Sequence, residues 1–484
     1  MNIKILNNKL FVYIFFLIIS FLIRYYLFEG RESWHDEWHS IYVANPNFNN
    51  AETFMAYYGD KGDTFLTEFY PPLYIFILKY VFIIFGYIDD NGRWFSIISG
   101  TLVVPLSIYF ANLFLDIKKT FFIGIVLTFN LFLIWQSLEI RAHSFLVFLA
   151  LINIILFYKL LEKKKKIYFF SYGIISIFLL SLWPITGVIF FGKTIYLIKK
   201  FLINKTFEKK IFILFFFILF IYFIFNIDYL KLNLSRDSHY TQLYSTFFYN
   251  YHFRTFFGSP VLGAFYLLLF SFLLIKNIKK IIFHNGKENL LIYIILSSYA
   301  LTLSYTLLRA SIMSPKYVIF ILPLIIIWIG IEINKIKKNN IVKIILVIIT
   351  ITICLFGINN SPIKRPPTEE ALNIIKADNS KYITTVETDV FNTYISTKKV
   401  FIEEKFILID DNEDDKKNKF PNSIKNLWFI CLNNPSFAVG DNNLSDDKKC
   451  KNFYPKNNNF IEVKEVKIRD FLLKKFKNKN YLSK

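Results

Sequence analysis

Two adjacent carboxylates, Asp36 and Glu37, stand in the run Ser33-Trp34-His35-Asp36-Glu37-Trp38-His39-Ser40, fenced by aromatic and histidine side chains. Ten acidic residues fall between Glu29 and Asp90, and this pair alone is so enclosed. The apolar block Leu10–Phe28 ends just before it, which sets the pair at membrane level. Partial desolvation there would raise a carboxylate's pKa and suit it to taking a proton. A carboxylate capping the start of a helix would account for the same residues. Four cations, Arg93, Arg141, Arg309 and Lys316, fall at the edges of other apolar blocks. Such a cation can hold a phosphate or snorkel to lipid headgroups. Arg141 has Glu139 and His143 as neighbours and can pair with Glu139. His35 and His39 flank the acidic pair, and His239 and His252 share a later loop, where a structural role competes with a place in a binding groove.

Several chemistries are absent from the pattern. The 16 glycines form neither a Walker loop nor a dinucleotide fingerprint. No Cys/His spacing suggests a structural zinc site. The acidic run Asp410–Asp415 lacks the turn glycine of a metal loop and reads as solvated. No cofactor is called for; a divalent metal is compatible with this pattern but not indicated by it.

The elements that position these residues are membrane spans. Hydrophobic residues make up 54% of the 484-residue chain and charged residues 19%, against about 45–50% and about 25% in ordinary globular chains. The apolar surplus lies in blocks such as Trp94–Leu115 and Leu290–Leu308, close to the ~20 residues that cross a ~30 Å hydrocarbon core. Eleven spans are expected: 9–28, 94–115, 120–136, 142–161, 167–183, 184–202, 211–226, 259–276, 289–308, 317–333 and 342–358. With the amino terminus inside, the segments 1–9, 116–119, 162–166, 199–210, 276–288 and 334–343 hold 21 Lys+Arg in 53 residues. The outer segments 29–93, 137–141, 183–184, 227–258 and 309–316 hold 10 in 112, so positive charge is several-fold denser inside. This bias explains the net charge of +21 without nucleic acid. Pro71–Ile88 is apolar enough to span, but counting it would reverse the later lysine runs, so it is expected as a helix on the outer face. Trp183-Pro184 is expected to break 167–202 into a hairpin.

Beyond residue 358 the chain turns polar and, after an odd number of spans, lies outside. The expected organisation is therefore a transmembrane domain over 1–358, with 29–93 as its first outer loop, and an extracytoplasmic α/β cap over 359–484. In the cap, Thr368–Ala377 reads as a helix and Tyr382–Glu387, Lys399–Glu403, Asn426–Leu432 and Phe460–Lys467 as strands. Cys431 and Cys450 fall in this compartment, where a disulfide is permitted.

An ordered set of short motifs now adds a resemblance. Trp34-x-Asp36-Glu37-x-x-Ser40 is followed by Pro71-Pro72-Leu73-Tyr74, then by Phe85-Gly86 with Arg93 and Ser96, then by Glu139-x-Arg141-Ala142-His143. Ser314-Pro315-Lys316-Tyr317 leads into Leu322-Pro323, and Arg365–Ala377 leads into the cap. The set resembles the GT-C superfamily of polytopic glycosyltransferases, most closely the group of protein O-mannosyltransferases and lipid A aminoarabinose transferases with its bacterial relatives. Tyr70 stands where those relatives often have His, and Lys316 where many have Arg, which keeps the charge but loses bidentate geometry.

The resemblance implies an α-helical, GT-C-like membrane enzyme with a small outer α/β domain. It would transfer a hexosyl or pentosyl group from a polyprenyl-phosphate carrier, with inversion, at the outer face of a bacterial inner membrane. The acceptor would be a lipid-linked glycan, lipid A or its core, or a protein. Asp36 would be the base and Glu37 its support; Arg93, Glu139, Arg141, His143, Arg309 and Lys316 would bind substrate or the donor phosphate. The competing class is a flippase or transporter of the same lipids, but transporters usually carry ionisable groups near mid-membrane, and here Lys193 is almost the only one.

The charge bias generates a direct expectation. A reporter fused after Lys166 or Lys338 should behave as cytoplasmic and one fused after Pro367 as external; an external signal after Lys166 would defeat the placement of Pro71–Ile88 on the outer surface.

Overall fold

The computed structural model describes residues 8–28, 31–33, 35–58, 71–205, 208–234, 245–284, 286–309, 312–336, 340–359, 368–378, 382–385, 397, 407–409, 424–432, 459–468 and 471–481. The chain is an α-helical membrane-type bundle with a small sheet near its C-terminus. It divides into two compact units, one of residues 1–29, 49–80 and 92–361, the other of residues 30–48, 81–91 and 362–484.

In the first unit α1 (Lys9–Phe28) runs antiparallel to α5 (Asp89–Ala111). At one end the Phe28 and Trp94 rings meet at 4.9 Å, and towards the other Tyr13 and Tyr109 meet at 6.3 Å. The chain therefore leaves α1 and enters α5 at the same end. Between them lie the short helices α2 (His35–Val43), α3 (Asn50–Tyr58) and α4 (Leu73–Phe85). At 13 residues, or about 20 Å, α4 is too short to cross a ~30 Å core. It buries Tyr74, Ile75 and Leu78, and its buried Lys79 donates to Thr53 Oγ1 of α3 at 3.0 Å.

The bundle continues with α6 (Phe121–Thr128), α7 (Leu131–Ser137), α8 (His143–Lys163), α9 (Lys166–Leu182), α10 (Gly187–Asn204), α11 (Lys209–Leu234), the single turn α12 (Arg254–Phe257), α13 (Pro260–Phe283), α14 (Asn289–Leu308), α15 (Ile321–Asn334) and α16 (Asn340–Asn359). Every segment expected as a span is helical. Among the described residues seven helices have the length and apolarity to cross, or eight if α6 and α7 form one crossing; α9 and α15 are shorter apolar helices. The expected straight span over 120–136 is bent by 61° between α6 and α7. Asn130 makes the bend: its Oδ1 accepts from Leu133 N–H at 2.9 Å and its Nδ2 donates to Phe256 O at 2.9 Å. The break at Trp183-Pro184 folds the chain back. Lys193 of α10 donates to Tyr172 Oη of α9 at 3.2 Å, although a continuous helix would hold them ~32 Å apart.

The lysine-rich segments gather at one end of this unit. Lys287 meets Glu162 at 2.5 Å, Lys164 and Lys200 meet Glu208 at 2.9 and 3.3 Å, and Lys280 and Lys335 meet Glu288 at 3.1 and 2.9 Å. These pairs link loops whose lysines would otherwise repel one another.

The second unit contains α2, α17 (Thr368–Ala377) and the strands β1 (Tyr382–Thr385), β2 (Ile407–Ile409), β3 (Asn426–Leu432), β4 (Phe460–Ile468) and β5 (Phe471–Asn478). The sheet order is β2-β1-β3-β5-β4. β1 pairs parallel with β2 and β3, and β5 pairs antiparallel with β3 and β4. In the central strand Leu427, Trp428, Phe429 and Ile430 are all buried, as a strand covered on both faces requires. Asp378, just past α17, ties the helix to the sheet by accepting from Trp428 Nε1 at 3.0 Å and Lys475 Nζ at 2.9 Å. The strand expected over Lys399–Glu403, the loop Asp410–Asp415 and Cys450 lie outside the described residues.

The lysine-rich end has a calculable acid response. Burial raises the Glu288 pKa, but hydrogen bonds and charge from Lys335 and Lys280 outweigh it and hold the carboxyl down to about 2. Glu208 is likewise lowered, with Lys164 and Lys200 outweighing burial. A depressed carboxylate stabilises the fold above its unfolded pKa and loses that contribution as pH falls towards the folded value. The melting temperature of the detergent-solubilised protein should therefore drop between about pH 4.5 and pH 2. Glu288→Gln should cost about 1–3 °C at pH 7 and flatten the drop in part; an unaltered acid profile in that variant would show the pair to be without weight.

Candidate active site

The acidic pair belongs to α2. Because that helix begins at His35, Asp36 and Glu37 lie inside its first turn, where carboxylates meet the positive end of the helix dipole. Glu37 is fully buried and Asp36 half-buried. Ser40 Oγ donates back to Asp36 O at 3.0 Å. The segment entering the helix is held from the same compact unit: Trp38 Nε1 donates to Ser33 O at 3.0 Å, and Ser33 Oγ donates to Asp89 Oδ2 at 3.2 Å. Tyr87 Oη donates to Ile41 O at 3.1 Å, so residues 87–89 strap both ends of α2. The turn before this strap needs Gly86, whose φ of +101° side chains rarely tolerate. Asn91 Nδ2 closes the turn on Phe85 O and Gly86 O at 2.7 and 2.9 Å.

Asp89 is the residue that sequence reasoning passed over. It is fully buried and engages the loop carrying Asp36-Glu37. In the sequence it reads only as one of two acids opening α5; the phenolic strap from Tyr87 is the feature that sets it apart.

Within the first unit the other expected site residues gather at one end. Arg93 is fully buried, its guanidinium 5.9 Å from the Phe28 ring. One turn later Ser96 Oγ donates to Arg141 O at 3.4 Å, fastening α5 to the loop between α7 and α8. Glu139 of that loop is buried and Arg141 half-buried. His143 opens α8, fully buried, and the charges of Lys316 and Arg141 both bear on its ring. Trp183 packs its indole against His143 at 5.5 Å and against Tyr317 at 5.7 Å. Lys316 is half-buried, its ammonium 5.6 Å from the Tyr317 ring. Residues 141, 143, 183, 316 and 317, from three separate stretches of chain, thus form one cluster. Arg309 has a different setting, exposed at the end of α14 beside exposed Leu307 and Leu308, which suits an interfacial anchor.

His252 has a structural environment. It lies in a π-helical turn, Phe248–Phe253, with its Nε2 2.9 Å from Tyr299 Oη and its ring 4.3 Å from Phe256. Burial pulls the imidazole down to about 3, so it is neutral at pH 7. Among the described residues no three His, Cys, Asp or Glu side chains are grouped to hold a metal ion.

No family model and no curated protein matches the sequence. Solved structures do match the fold. ArnT from Cupriavidus metallidurans in the apo state superposes with a TM-score of 0.59 at 9% identity, over 96% of this chain and 97% of that one. The chain has the ArnT fold. The same ArnT bound to undecaprenyl phosphate gives a TM-score of 0.55 at 10% identity, over 97% and 98% of the two chains. An Archaeoglobus fulgidus oligosaccharyltransferase follows at 0.43 and 11%, over 86% of this chain and 67% of that one. The likeness to ArnT extends over nearly the whole chain and, at this identity, speaks for architecture alone.

The strap on α2 can be weighed by mutation. Asp89→Ala removes the acceptor of a buried hydroxyl, which should cost about 1–3 kcal/mol of stability, whereas Asp89→Asn retains an acceptor oxygen and should cost less. Thermal unfolding of both variants in detergent checks the order; equal losses would mean that Ser33 is not the partner that matters.

Proposed function

We propose that the protein is an integral-membrane glycosyltransferase that moves a sugar from a polyprenyl-phosphate carrier to an acceptor at the outer face of a bacterial inner membrane. The amino terminus is cytoplasmic and the domain from residue 359 onward extracytoplasmic. The acceptor classes are a lipid-linked glycan, lipid A or its core, and protein. The observation that carries the reading is the cluster of Arg141, His143 and Lys316 in a chain with the fold of ArnT. The positive charges of Arg141 and Lys316 both reach buried His143, which suits the binding of an anion there, and ArnT itself has been seen with undecaprenyl phosphate.

In the reaction Asp36 takes the proton from the acceptor hydroxyl or amine as it attacks the anomeric carbon. The carrier phosphate departs from the opposite side, so configuration inverts. Negative charge grows on the leaving oxygen, where Arg93, Arg141 and Lys316 stabilise it. Buried Glu37 supports Asp36, and Glu139 pairs with Arg141 to orient it. Arg309 contacts the headgroup side of the carrier. Nothing in this scheme asks for a metal.

The base assignment gives the sharpest test. Asp36→Asn keeps shape and hydrogen bonding but accepts no proton, so transfer in membranes supplied with a polyprenyl-phosphate sugar should fall about 10²–10⁴-fold at equal protein level. Glu37→Gln should lose less. Near-normal turnover by the Asp36 variant would remove the base and most of the case for an active transferase.

A further inference from the structure

We propose that Trp183 is a positioning residue for the donor phosphate: packed against both His143 and Tyr317, its indole sets the spacing of Arg141 and Lys316. The inference rests on the reading of those two cations as contacts of the carrier phosphate.

The geometry is specific. Trp183 is 3% exposed, and its ring packs edge-on to His143 at 5.5 Å and tilted against Tyr317 at 5.7 Å. His143 is two residues from Arg141, and Tyr317 is bonded to Lys316, so each contact sits beside a cation. The backbone that carries the indole has little freedom. Trp183 N–H donates to Leu179 O at 3.0 Å, and its carbonyl accepts from Thr186 N–H at 3.0 Å and Thr186 Oγ1 at 2.7 Å. Pro184 follows and keeps Trp183 extended, at φ −157° and ψ 96°. On the far side Ser96 anchors Arg141 through its carbonyl.

Two like charges drift apart unless something fixes their separation. A phosphate held by both gains from each only when the gap fits it. A rigid ring pinned at the break between α9 and α10 supplies that fixed distance. The break therefore has a second use beyond reversing the chain.

The test combines three variants in the full-length protein: Trp183→Ala, Trp183→Phe and Trp183→Ala with Lys316→Ala. Donor KM, acceptor KM and kcat are measured, with thermal shift on adding undecaprenyl phosphate in micelles as a readout independent of turnover. Trp183→Ala should raise donor KM about 10-fold and shrink the thermal shift, while acceptor KM holds and kcat changes much less. Trp183→Phe, which keeps a ring, should recover most of the loss. The double variant should be little worse than Lys316→Ala alone, because the indole acts through that cation. If the Ala variant does not express, Trp183→Leu replaces it, keeping apolar bulk without the flat ring.

Additive losses, a Phe variant as poor as the Ala variant, or equal damage to donor and acceptor KM would overturn the assignment and leave Trp183 a packing residue. Failure of the underlying reading looks different. A wild-type protein that neither shifts with undecaprenyl phosphate nor transfers from such donors would refute the carrier-phosphate site itself, and this inference with it.

Discussion

A buried guanidinium in α1 fixes the helix register of the first unit. Arg24, fully buried in α1, donates through Nε to Ser137 Oγ of α7 at 2.8 Å and through Nη1 to Ser20 O and Oγ at 3.0 and 2.5 Å. Ser137 in turn lies against α5 so closely that a Cβ at Gly100 would fall 2.3 Å from the serine Cβ. Only glycine permits that approach. Three helices are thus joined at one point, and the residues beyond it are those proposed to bind the donor. Arg93 lies two turns from Gly100, while Glu139 and Arg141 follow Ser137 by two and four residues. Hydrogen bonds from a charged donor are worth about 1.5–3 kcal/mol each, and leaving such a donor unbonded in an apolar interior costs more than they return. The register of α1, α5 and α7 is therefore set before the loop between α7 and α8 has any role.

The spans were legible because hydropathy and lysine position are direct consequences of the bilayer as solvent. The ion pairs of Glu162, Glu208 and Glu288 join loops that charge density alone assigned to one side. What the sequence hid were local exceptions inside apolar runs. Asn130 is one polar residue in a long hydrophobic stretch, and nothing nearby announces that it caps a second helix and bends the crossing. Strand β5 was missed because Phe471–Asn478 carries three lysines. Their polarity mimics a tail, although Lys474 is buried and bonded to Glu462 and Glu465 of β4 at 3.0 and 2.9 Å.

For the site, chemical type was readable and partnership was not. Arg141, His143 and Lys316 could be named as candidates, but their convergence depends on how α8, the break at Trp183 and the approach to α15 pack, which no spacing encodes. Trp183 itself read only as a chain reversal. Asp89 looked like a helix-opening acid, and its bond to Ser33 joins residues 56 positions apart. Arg309, by contrast, stands at the edge of an apolar block as Lys316 does, but outside the motifs, and proved exposed. An arginine at the edge of an apolar block does not tell which way it faces.

The cations of this protein fall into two kinds, and the difference separates architecture from chemistry. Arg24, Lys193 and Lys199 are buried and bonded to neutral acceptors. Lys193 reaches Asn153 and Tyr172 among the rings of Phe157, Tyr172 and Phe190, and Lys199 reaches the carbonyls of Ile281 and His284. Neutral oxygens and aromatic faces hold a cation without introducing a second desolvated charge, so these contacts fasten helices to one another. A transporter would instead be expected to turn its mid-membrane ionisable groups towards a path, whereas Lys193 is fully buried. Arg141 and Lys316 are half-buried, and the charge of each bears on the His143 ring. On the proposed reading, exposure and shared focus, more than the mere presence of positive charge, distinguish the phosphate contacts from the cations that fasten helices.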